Sequence, residues 1–336
     1  MRAIKEYIKF IRPYGILFIG FTPVFGALCN GEFDVFHLSL LLLIGLLGHI
    51  FVFVQNDYYD VEVDRQSKYV VQRPLTSGLV SKTNARILFL GSFFISIALA
   101  AVFFFSLLSL IVLLVAFLLM TLYNRYSKRL PAMEYILGAA IFSYGIFGAL
   151  TVSDQISPFA VIISCVAFLQ WIFSVGISAN LKDVEFDTKL GIRTTPVLFG
   201  VRAVGKQLKK PVLFLLYTYG IKLVHLIVVI LPFFFGYSSL LLDGYPIPLL
   251  GFLILACILL FTTRGILTTP LDKRDQMLRY EGVHEGLALL LIPFVLLSYL
   301  VEHLGALLPF LLLVVLILWP LLCLRFLYGK TLIPLE

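Results

Sequence analysis

The sequence predicts an all-α, polytopic membrane protein built as a bundle of about nine to ten transmembrane helices. Of its 336 residues, 60% are hydrophobic and only 13% are charged, and the mean hydropathy is +1.02. A soluble domain carries about 25% charged residues. The composition therefore excludes a soluble enzyme, and we expect membrane lipid around the chain, no nucleic-acid partner and no obligate protein partner.

Long apolar runs locate the spans, because a bilayer core needs about 20 apolar residues per helix. Ten segments meet this criterion, near residues 14–31, 36–58, 86–106, 108–124, 134–152, 157–180, 211–236, 245–263, 285–301 and 304–326. Before them, Met1 to Arg12 is basic and carries Ile4, Ile8 and Ile11 on one helical face, which predicts an interfacial helix. We expect one integral-membrane domain over 1–336, with the interfacial helix at 1–12, a motif-bearing part at 13–200 and C-terminal helices at 201–336.

The charge distribution predicts the orientation. With a cytoplasmic N-terminus, 25 of the 26 Lys and Arg fall on the inside, and only Lys222 lies within a span. The opposite loops carry five acidic residues, Glu32, Asp34, Asp154, Asp243 and Glu302, and no basic residue. By the positive-inside rule, this pattern favours ten spans in the cell membrane, with both termini and the active-site loops cytoplasmic.

Two aspartate clusters interrupt the apolar chain, each directly after a hydrophobic run. Carboxylates at a membrane edge are costly unless they bind a cation or face a polar cavity. Positions three, four and seven apart share one face of an α-helix. Two such faces result: Asp57, Asp60 and Asp64 with Asn56 at the edge, and Asn180, Asp183 and Asp187. Each face suits Mg²⁺, which takes one or two protein carboxylates together with water and phosphate oxygens.

Basic residues follow each cluster. Arg73 opens a turn punctuated by Pro74 and Gly78, and Lys189 begins the segment Lys189 to Pro196. Arginine binds phosphate through two hydrogen bonds and lysine acts as a point charge. Carboxylates, metal and basic residues together predict a diphosphate site, although a topology-setting role explains any single basic residue equally well.

These motifs resemble those of the UbiA superfamily of membrane-intrinsic prenyltransferases. The NDxxDxxxD motif is carried by Asn56, Asp57, Asp60 and Asp64, and the RPLxSG turn by Arg73 to Gly78. The second, DxxxD motif is matched by Asp183 and Asp187, and a weaker match is Tyr123 with Lys128 and Arg129. The resemblance covers about residues 10–200. A tenth span departs from the nine usual in the family.

The resemblance implies a helical bundle around a central cavity, with Mg²⁺ and a polyprenyl diphosphate bound by both motifs. The implied metal ligands and catalytic residues are Asp57, Asp60, Asp64, Asp183 and Asp187. The candidate substrate-binding residues are Asn56, Tyr58, Tyr59, Arg73, Tyr123, Lys128, Arg129, Asn180 and Lys189. In this hypothesis the basic groups neutralise the leaving diphosphate, and the three tyrosines offer π-faces to the allylic cation.

The acceptor stays open at this point. An aromatic quinone precursor is our first expectation and a glycerol-phosphate ether-lipid precursor the second. The non-enzyme alternative is a cation-coupled transporter, in which paired acidic sites serve alternating access. Carboxylates at the membrane edge with basic loops behind them favour the enzyme, and a membrane scaffold explains neither cluster.

Two further groups of polar residues stand outside these motifs. Lys222 lies within a span with His225 nearly one turn further on, and an intramembrane lysine is a functional candidate as readily as a snorkelling one. Glu281, His284 and Glu285 have metal-like helical spacing at the start of the ninth span. An acidic helix N-terminus explains that trio more simply.

Overall fold

The computed structural model describes residues 2–67, 69–104 and 106–332, with side chains from Ile4 onward. Met1, Lys68, Phe105 and 333–336 lie outside the described residues. The first residue of the predicted interfacial helix and one of the loop charges counted above therefore fall outside as well. The rest of that helix is present as α1, Arg2–Phe10.

Helices make up most of the described chain. In order they are α1, α2 (Ile16–Leu28), α3 (Val35–Asp64), α4 (Lys82–Phe103), α5 (Leu107–Tyr126), α6 (Glu134–Leu150), α7 (Pro158–Phe173), a π-helical segment (Ser174–Ala179), α8 (Val184–Leu190), α9 (Thr195–Leu198), α10 (Val212–Phe234), α11 (Ile247–Thr268), α12 (Arg274–Val295), α13 (Leu297–Leu304) and α14 (Leu307–Tyr328). Short 3₁₀ turns occupy Pro13–Gly15, Leu271–Lys273 and Gly329–Thr331. One small hairpin, β1 (Arg202–Val204) with β2 (Gln207–Lys209), pairs antiparallel and is the only sheet in the described ranges.

The spans agree with the predicted class of membrane protein. Within the described residues, eight helices are long and apolar enough to cross a bilayer, and a ninth span results if Leu271–Val295 and Leu297–Leu304, bent by 56°, form one. The span predicted at 134–152 is the shorter apolar helix Glu134–Leu150, so the described residues support eight to nine spans rather than the ten that the charge distribution favoured. The chain is therefore a multi-span membrane protein, and the cytoplasmic placement of its termini stays a prediction.

The chain divides into two compact units. The first comprises Met1–Lys128, Ala139–Ser164 and Trp319–Glu336, and the second comprises Arg129–Gly138 and Cys165–Leu318. The first unit contains α2 to α5, and the second contains the π-helical segment, the hairpin and α8 to α13. Each unit holds one of the two aspartate motifs.

Helix starts and close backbone contacts shape the first unit. Side-chain oxygens cap three helices: Asp34 accepts from the backbone N–H of His37, Ser81 from Asn84 and Ser106 from Ser109. Gly45 of α3 lies directly against the backbone of Gly20 in α2, where a β-carbon would collide. Small residues allow such close approach of membrane helices. The long α3 is thereby fixed along its apolar length before it reaches the aspartates.

In the second unit, a compact core lies beside the second motif. Buried residues from the π-helical segment, α8, the hairpin and α10 to α12 form it: Phe173, Ile177, Leu181, Val184, Val201, Leu208, Phe214, Ile266, Leu267 and Met277. The hairpin was not predicted from the sequence. It adds six strand residues to an otherwise helical chain. Leu208 of β2 and Val201, which directly precedes β1, belong to the same core as Val184 of α8.

Candidate active site

The first aspartate motif occupies the last turns of α3. The helix continues past the predicted end of its span at residue 58 and stops only at Asp64. Asp57, Asp60 and Asp64 are 4%, 7% and 7% exposed, whereas Glu62 on the other side of the helix is exposed. The predicted carboxylate face is therefore confirmed as a geometric feature, and it points into the protein.

Two arginines hold this face. Arg12 donates from Nη2 to Asp57 Oδ1 over 2.6 Å. Arg73 Nη1 lies 3.0 Å from Asp64 Oδ2 and 3.4 Å from Asp57 Oδ1. Lys128 also acts electrostatically on Asp60 and Asp64. The carboxylates thus share several positive partners, as buried charges require.

Arg73 is presented by the turn that the sequence predicted. The backbone N–H of Ser77 donates to the Arg73 carbonyl over 2.9 Å, and that of Val80 donates to Pro74 over 2.9 Å. Gly78 has φ +79°, a left-handed conformation that side chains with a β-carbon rarely adopt. Pro74 and Gly78 therefore close the turn and leave the Arg73 side chain directed at the two aspartates.

A small open pocket borders Asp57 within the first unit. It is lined by Lys9, Phe10, Arg12, Tyr14, Asp57, Gln72, Arg73, Pro74 and Tyr328. Its volume is about 30 Å³, which is enough for two or three water molecules. Three of its side chains are cationic and one is a carboxylate, so the pocket suits an anionic oxygen group beside Asp57.

Sequence reasoning did not identify Arg12. It lies 45 positions before Asp57, at the end of the basic N-terminal segment, where it was counted only as a topology-setting charge. Spacing along the chain carries no signal for such a contact. The nearby ring of Phe53, 5.2 Å from the guanidinium carbon, adds a cation–π contact to the site that Arg12 occupies.

The second motif is built differently. The prediction of one continuous helical face through Asn180, Asp183 and Asp187 is wrong, because α7 passes into a π-helical segment, the chain turns at Lys182 and Asp183, and α8 starts at Val184. Asp183 is half-buried and Asp187 is 1% exposed. The backbone N–H of Asp187 still donates to the Asp183 carbonyl, so the two remain one turn apart.

Side chains from elsewhere in the second unit hold these two aspartates. Arg274 donates to Asp183 Oδ1 over 2.9 Å and to the Lys182 carbonyl over 2.7 Å. Thr194 Oγ1 donates to Asp187 Oδ2 over 3.1 Å. Arg274 is a second residue that sequence reasoning missed, since it lies 91 positions away and no local pattern marks it.

The loop after α8 is closed onto its own helix. Gly191 ends α8 with φ +70°, and the backbone N–H of Ile192 donates to the Asp187 carbonyl over 2.9 Å. Thr195 donates to the buried carboxylate of Glu134. This closure brings Thr194 to Asp187 and fixes the segment that follows the motif.

The remaining predicted residues fall into different environments. Tyr58 accepts a hydrogen bond from Arg86 over 2.6 Å, and Tyr59 is exposed. Tyr123 lies in the last turn of α5 rather than in a loop. Asn56 and Asn180 are half-buried beside their aspartates, Lys128 is half-buried and Arg129 is exposed. Lys189 extends to Glu185 in an exposed ion pair of 2.6 Å.

The carboxylate oxygens of the two motifs fit a hard cation that takes its remaining ligands from a bound phosphate group and from water. Among the described residues, no three His, Cys, Asp or Glu side chains are gathered closely enough to hold a metal alone. The available donors are carboxylate oxygens, which Mg²⁺ prefers, and it completes its shell with water and phosphate oxygens. The arginines beside these carboxylates supply the donors that a phosphate group needs.

Fold and site together define a membrane-embedded helical protein with two carboxylate–arginine centres. The family model of the UbiA prenyltransferase family matches residues 17–280. The chain belongs to the UbiA prenyltransferase family, and it is a prenyltransferase. Family membership therefore supports the enzyme and not the transporter that was the alternative.

Individual relatives divide between two acceptor types. A "4-hydroxybenzoate octaprenyltransferase" from Francisella tularensis is 29% identical over 203 residues, covering 60% of this chain and 70% of the relative. A "digeranylgeranylglyceryl phosphate synthase" from Pyrococcus abyssi is also 29% identical, over 202 residues, covering 59% and 70%. Equal identity to both leaves the acceptor undecided.

Solved structures share the fold. A UbiA homologue from Aeropyrum pernix K1 superposes with a TM-score of 0.64 at 16% identity, covering 84% of this chain and 97% of the homologue. A UbiA homologue from Archaeoglobus fulgidus, bound to DMAPP and Mg²⁺, gives 0.58 at 20% identity, covering 85% and 99%. At these identities the likeness shows the fold alone.

Proposed function

We propose that this chain transfers a polyprenyl group from a prenyl diphosphate to an aromatic quinone precursor, with Mg²⁺ as cofactor and release of diphosphate. One observation carries the proposal: three buried carboxylates on one face of α3 are held by two arginines beside a small cationic pocket. Carboxylates suit a metal ion and arginines suit phosphate oxygens, so the two side by side match a phosphate-containing ligand that is bound together with its metal. The Archaeoglobus fulgidus homologue, which was solved with DMAPP and Mg²⁺, supports the same ligand class.

The residues divide the work by charge. Asp57, Asp60 and Asp64, and in the second motif Asp183 and Asp187, offer carboxylate oxygens to the metal. When bound, Mg²⁺ neutralises the diphosphate and favours its departure. Arg12, Arg73 and Lys128 are positioned near the first motif, and Arg274 near the second, to donate to phosphate oxygens as negative charge develops.

One bond breaks and one bond forms in the transfer. The bond between the allylic carbon and the diphosphate oxygen breaks, and both electrons leave with the diphosphate. The electron-rich ring of the acceptor forms the new carbon–carbon bond to the allylic carbon. The ring carbon that is attacked then transfers its proton to the released diphosphate, which restores aromaticity. No oxidant or reductant takes part.

A second acceptor class has an observation in its favour. The pocket with Lys9, Arg12 and Arg73 has room for an anionic oxygen group, and the Pyrococcus abyssi relative is named for a glyceryl phosphate product. A glycerol-phosphate ether-lipid precursor therefore remains the alternative acceptor. In that case a hydroxyl oxygen, not a ring carbon, forms the new bond and loses the proton.

The test is a product assay with purified chain in detergent. Geranylgeranyl diphosphate and Mg²⁺ are supplied with a panel of acceptors that includes 4-hydroxybenzoate and geranylgeranylglyceryl phosphate, and mass spectrometry identifies the products. We expect a prenylated aromatic acid together with stoichiometric diphosphate. Asp60→Ala and Asp183→Ala should abolish both, with the protein still folded in membranes. Turnover near that of the wild type in these variants would contradict the proposal.

A further inference from the structure

Arg12, which donates to Asp57 over 2.6 Å, has a backbone conformation that its own sequence disfavours. Its φ and ψ angles are 50° and 59°, in the left-handed helical region. A residue with a β-carbon rarely adopts this region, and a residue that precedes a proline, as Arg12 precedes Pro13, is further biased towards an extended backbone. Contacts from elsewhere in the chain must therefore hold the backbone of Arg12.

Local hydrogen bonds close the chain around Arg12. Its backbone N–H donates to the Lys9 carbonyl over 3.1 Å, and the backbone N–H of Gly15 donates to the Arg12 carbonyl over 3.0 Å. We call residues 11–15 the Arg12 turn. The carbonyls on either side of Arg12, those of Ile11 and Pro13, accept hydrogen bonds from side chains that lie far away in the sequence.

His49 of α3 holds the first of these carbonyls. Its Nε2 lies 3.1 Å from the carbonyl oxygen of Ile11, and because a carbonyl only accepts, Nε2 carries the hydrogen. The imidazole is 0% exposed, and its centroid lies 4.4 Å from that of the Phe53 ring, one turn further along α3. The Phe53 ring in turn lies 5.2 Å from the guanidinium carbon of Arg12. Helix α3 therefore carries the first aspartate motif and also supports the arginine that contacts it.

Trp319 of α14 holds the second carbonyl. Its indole Nε1 donates to the Pro13 carbonyl oxygen over 2.7 Å, across 306 positions of the sequence. Tryptophan suits such a contact at a membrane edge, because its ring is apolar and its N–H is polar. Both residues lie outside 17–280, the part of the chain that matches the family model. Family membership therefore does not account for this contact.

Two ring contacts place the end of α14 against the N-terminal segment. Phe326 follows Trp319 by about two turns, and the ammonium of Lys5 in α1 lies 5.8 Å from its ring centroid. The rings of Tyr328 and Tyr14 meet edge-on with centroids 6.2 Å apart. Tyr328 also lines the small pocket of the first motif. The hydrogen bond from Trp319 is therefore part of a wider packed contact.

We propose that Trp319 and His49 are positioning residues for prenyl transfer. They fix the backbone of the Arg12 turn, so that the guanidinium of Arg12 lies beside the first aspartate motif and donates to the diphosphate of the prenyl donor. This inference rests on the proposed function, which assigns that role to Arg12. Neither positioning residue touches the substrate. Helix α14 is thereby a functional part of the donor site.

The need for two supports follows from the conformation that they hold. Without them, the backbone of Arg12 relaxes towards the extended region preferred before a proline, and its side chain is redirected away from Asp57. Asp57 itself stays in place, because it belongs to the packed helix α3. The loss therefore falls on the cationic half of the site, where the diphosphate binds, and it lowers affinity by removing preorganisation.

The experiment measures equilibrium binding of radiolabelled inorganic pyrophosphate to the full chain in detergent, at a fixed concentration of Mg²⁺. Trp319→Phe removes the indole N–H and keeps an aromatic ring in its place. We expect it to raise the Kd about fivefold, which is within the range for one hydrogen bond. The matched control is Trp171→Phe, the same substitution at the other of the two tryptophans, and it should leave the Kd unchanged.

A double-mutant cycle separates positioning from a general stabilisation of the fold. If Trp319 acts through Arg12, Trp319→Phe in the Arg12→Met background should raise the Kd by less than about 1.5-fold. A merely structural role predicts the same loss in both backgrounds.

His49 provides a second pair of variants. His49→Leu removes the donor to the Ile11 carbonyl and should raise the Kd about threefold, whereas His49→Gln keeps an N–H donor and should return it to within about 1.5-fold of the wild type. Folding of each variant is checked by its melting temperature in detergent. If Trp319→Phe does not fold, the two His49 variants decide, and equal Kd values for them reject the positioning role.

The inference is overturned if the wild type does not bind pyrophosphate, if Trp319→Phe leaves the Kd unchanged, or if its loss is the same in both Arg12 backgrounds. A loss in Trp171→Phe as large as that in Trp319→Phe would overturn it as well. Failure of the proposed function is a separate result, because it appears as the absence of a prenylated product with any acceptor. Pyrophosphate binding is measured without a prenyl group and without an acceptor.

Discussion

The two aspartate motifs are equivalent in residue type but differ in construction. The first lies on an uninterrupted helix that presents three buried carboxylates, and two arginines hold it, Arg12 from the N-terminal segment and Arg73 from the turn that follows the helix. The second begins after a π-helical segment and spans a turn, with one buried and one half-buried aspartate. One arginine and one threonine hold this second pair.

This difference indicates a division of roles. A carboxylate face on a packed helix keeps its geometry without a ligand, so in our proposal the first motif is preorganised for the metal. The second depends on the loop from Gly191 to Thr195, whose Thr194 donates to Asp187, and on Arg274, which reaches Asp183 from another helix. We therefore expect substitution of the first-motif aspartates to remove activity, and substitution of Arg274 and Thr194, which hold the second motif, to reduce metal affinity.

Asp60→Asn should cause the largest loss, at least about a thousandfold in kcat/KM, or about 4 kcal/mol of transition-state stabilisation. The amide keeps the volume of the side chain but removes the charge from the centre of the carboxylate face. Asp183→Asn should lower kcat/KM by about a hundredfold, a tenfold smaller loss, because Asp183 is half-exposed. Glu62→Gln, on the exposed side of the same helix, is the control. Equal losses at Asp60 and Asp183 would remove the distinction between the motifs.

Arg12→Met should lower kcat/KM for the prenyl diphosphate by about 10- to 100-fold, the range for a charge-assisted hydrogen bond of 1.5–3 kcal/mol. Asp57 would lose its closest cationic partner, and the pocket would lose one of its three positive charges. Steady-state kinetics with varied donor concentration measures the effect. Arg65→Met, an exposed arginine paired with Glu62, is the matched control. Equal kinetics for both variants would exclude Arg12 from the site.

Arg274→Met should have a smaller effect, about a five- to tenfold rise in the Mg²⁺ concentration needed for half-maximal activity. The Asp183 carboxylate is partly hydrated and keeps some stabilisation from water when the arginine is removed. Arg279→Met, an exposed arginine one to two turns further along α12, provides the comparison. A loss as large as that of Arg12→Met would show that the second motif depends on its arginine as strongly as the first does.

Thr194→Val tests the loop of the second motif alone. The substitution keeps the shape of the side chain and removes the hydrogen bond to Asp187 Oδ2, which typically contributes about 1 kcal/mol. Mn²⁺ affinity, followed by electron paramagnetic resonance, should fall about fivefold. Thr188→Val, on an exposed position of α8, is the matched control. An unchanged affinity would mean that the loop does not orient Asp187.

The sequence predicted the helical class, the spans and the first carboxylate face, because all three depend on local periodicity. Apolar run length defines a span, and the spacing of Asp57, Asp60 and Asp64 defines a face once the chain is helical. Arg12 and Arg274 could not be found in this way, since their contacts span 45 and 91 positions. Such contacts depend on tertiary packing, which periodicity does not encode.

The second motif shows a different limit. The spacing of Asn180, Asp183 and Asp187 is that of a regular helix, but the π-helical segment and the turn at Lys182 interrupt it. A π-helical turn contains more residues than an α-helical turn, but the spacing of the residues in the sequence does not reveal it. Two further groups, Lys222 with His225 and the trio Glu281, His284 and Glu285, were likewise unrelated to each other in the sequence. Packing of α10 against α12 unites them.

Lys189→Met should have the smallest effect, less than about twofold on kcat/KM. Sequence analysis proposed Lys189 as a diphosphate ligand, but its side chain is 70% exposed and pairs with Glu185. An exposed pair of this kind contributes little, and the ammonium extends along the solvent side of α8. A loss of tenfold or more would show that Lys189 leaves Glu185 to bind substrate. In that event the second motif would add Lys189 to Arg274 only when substrate is bound, whereas the first motif holds both Arg12 and Arg73 in place beforehand.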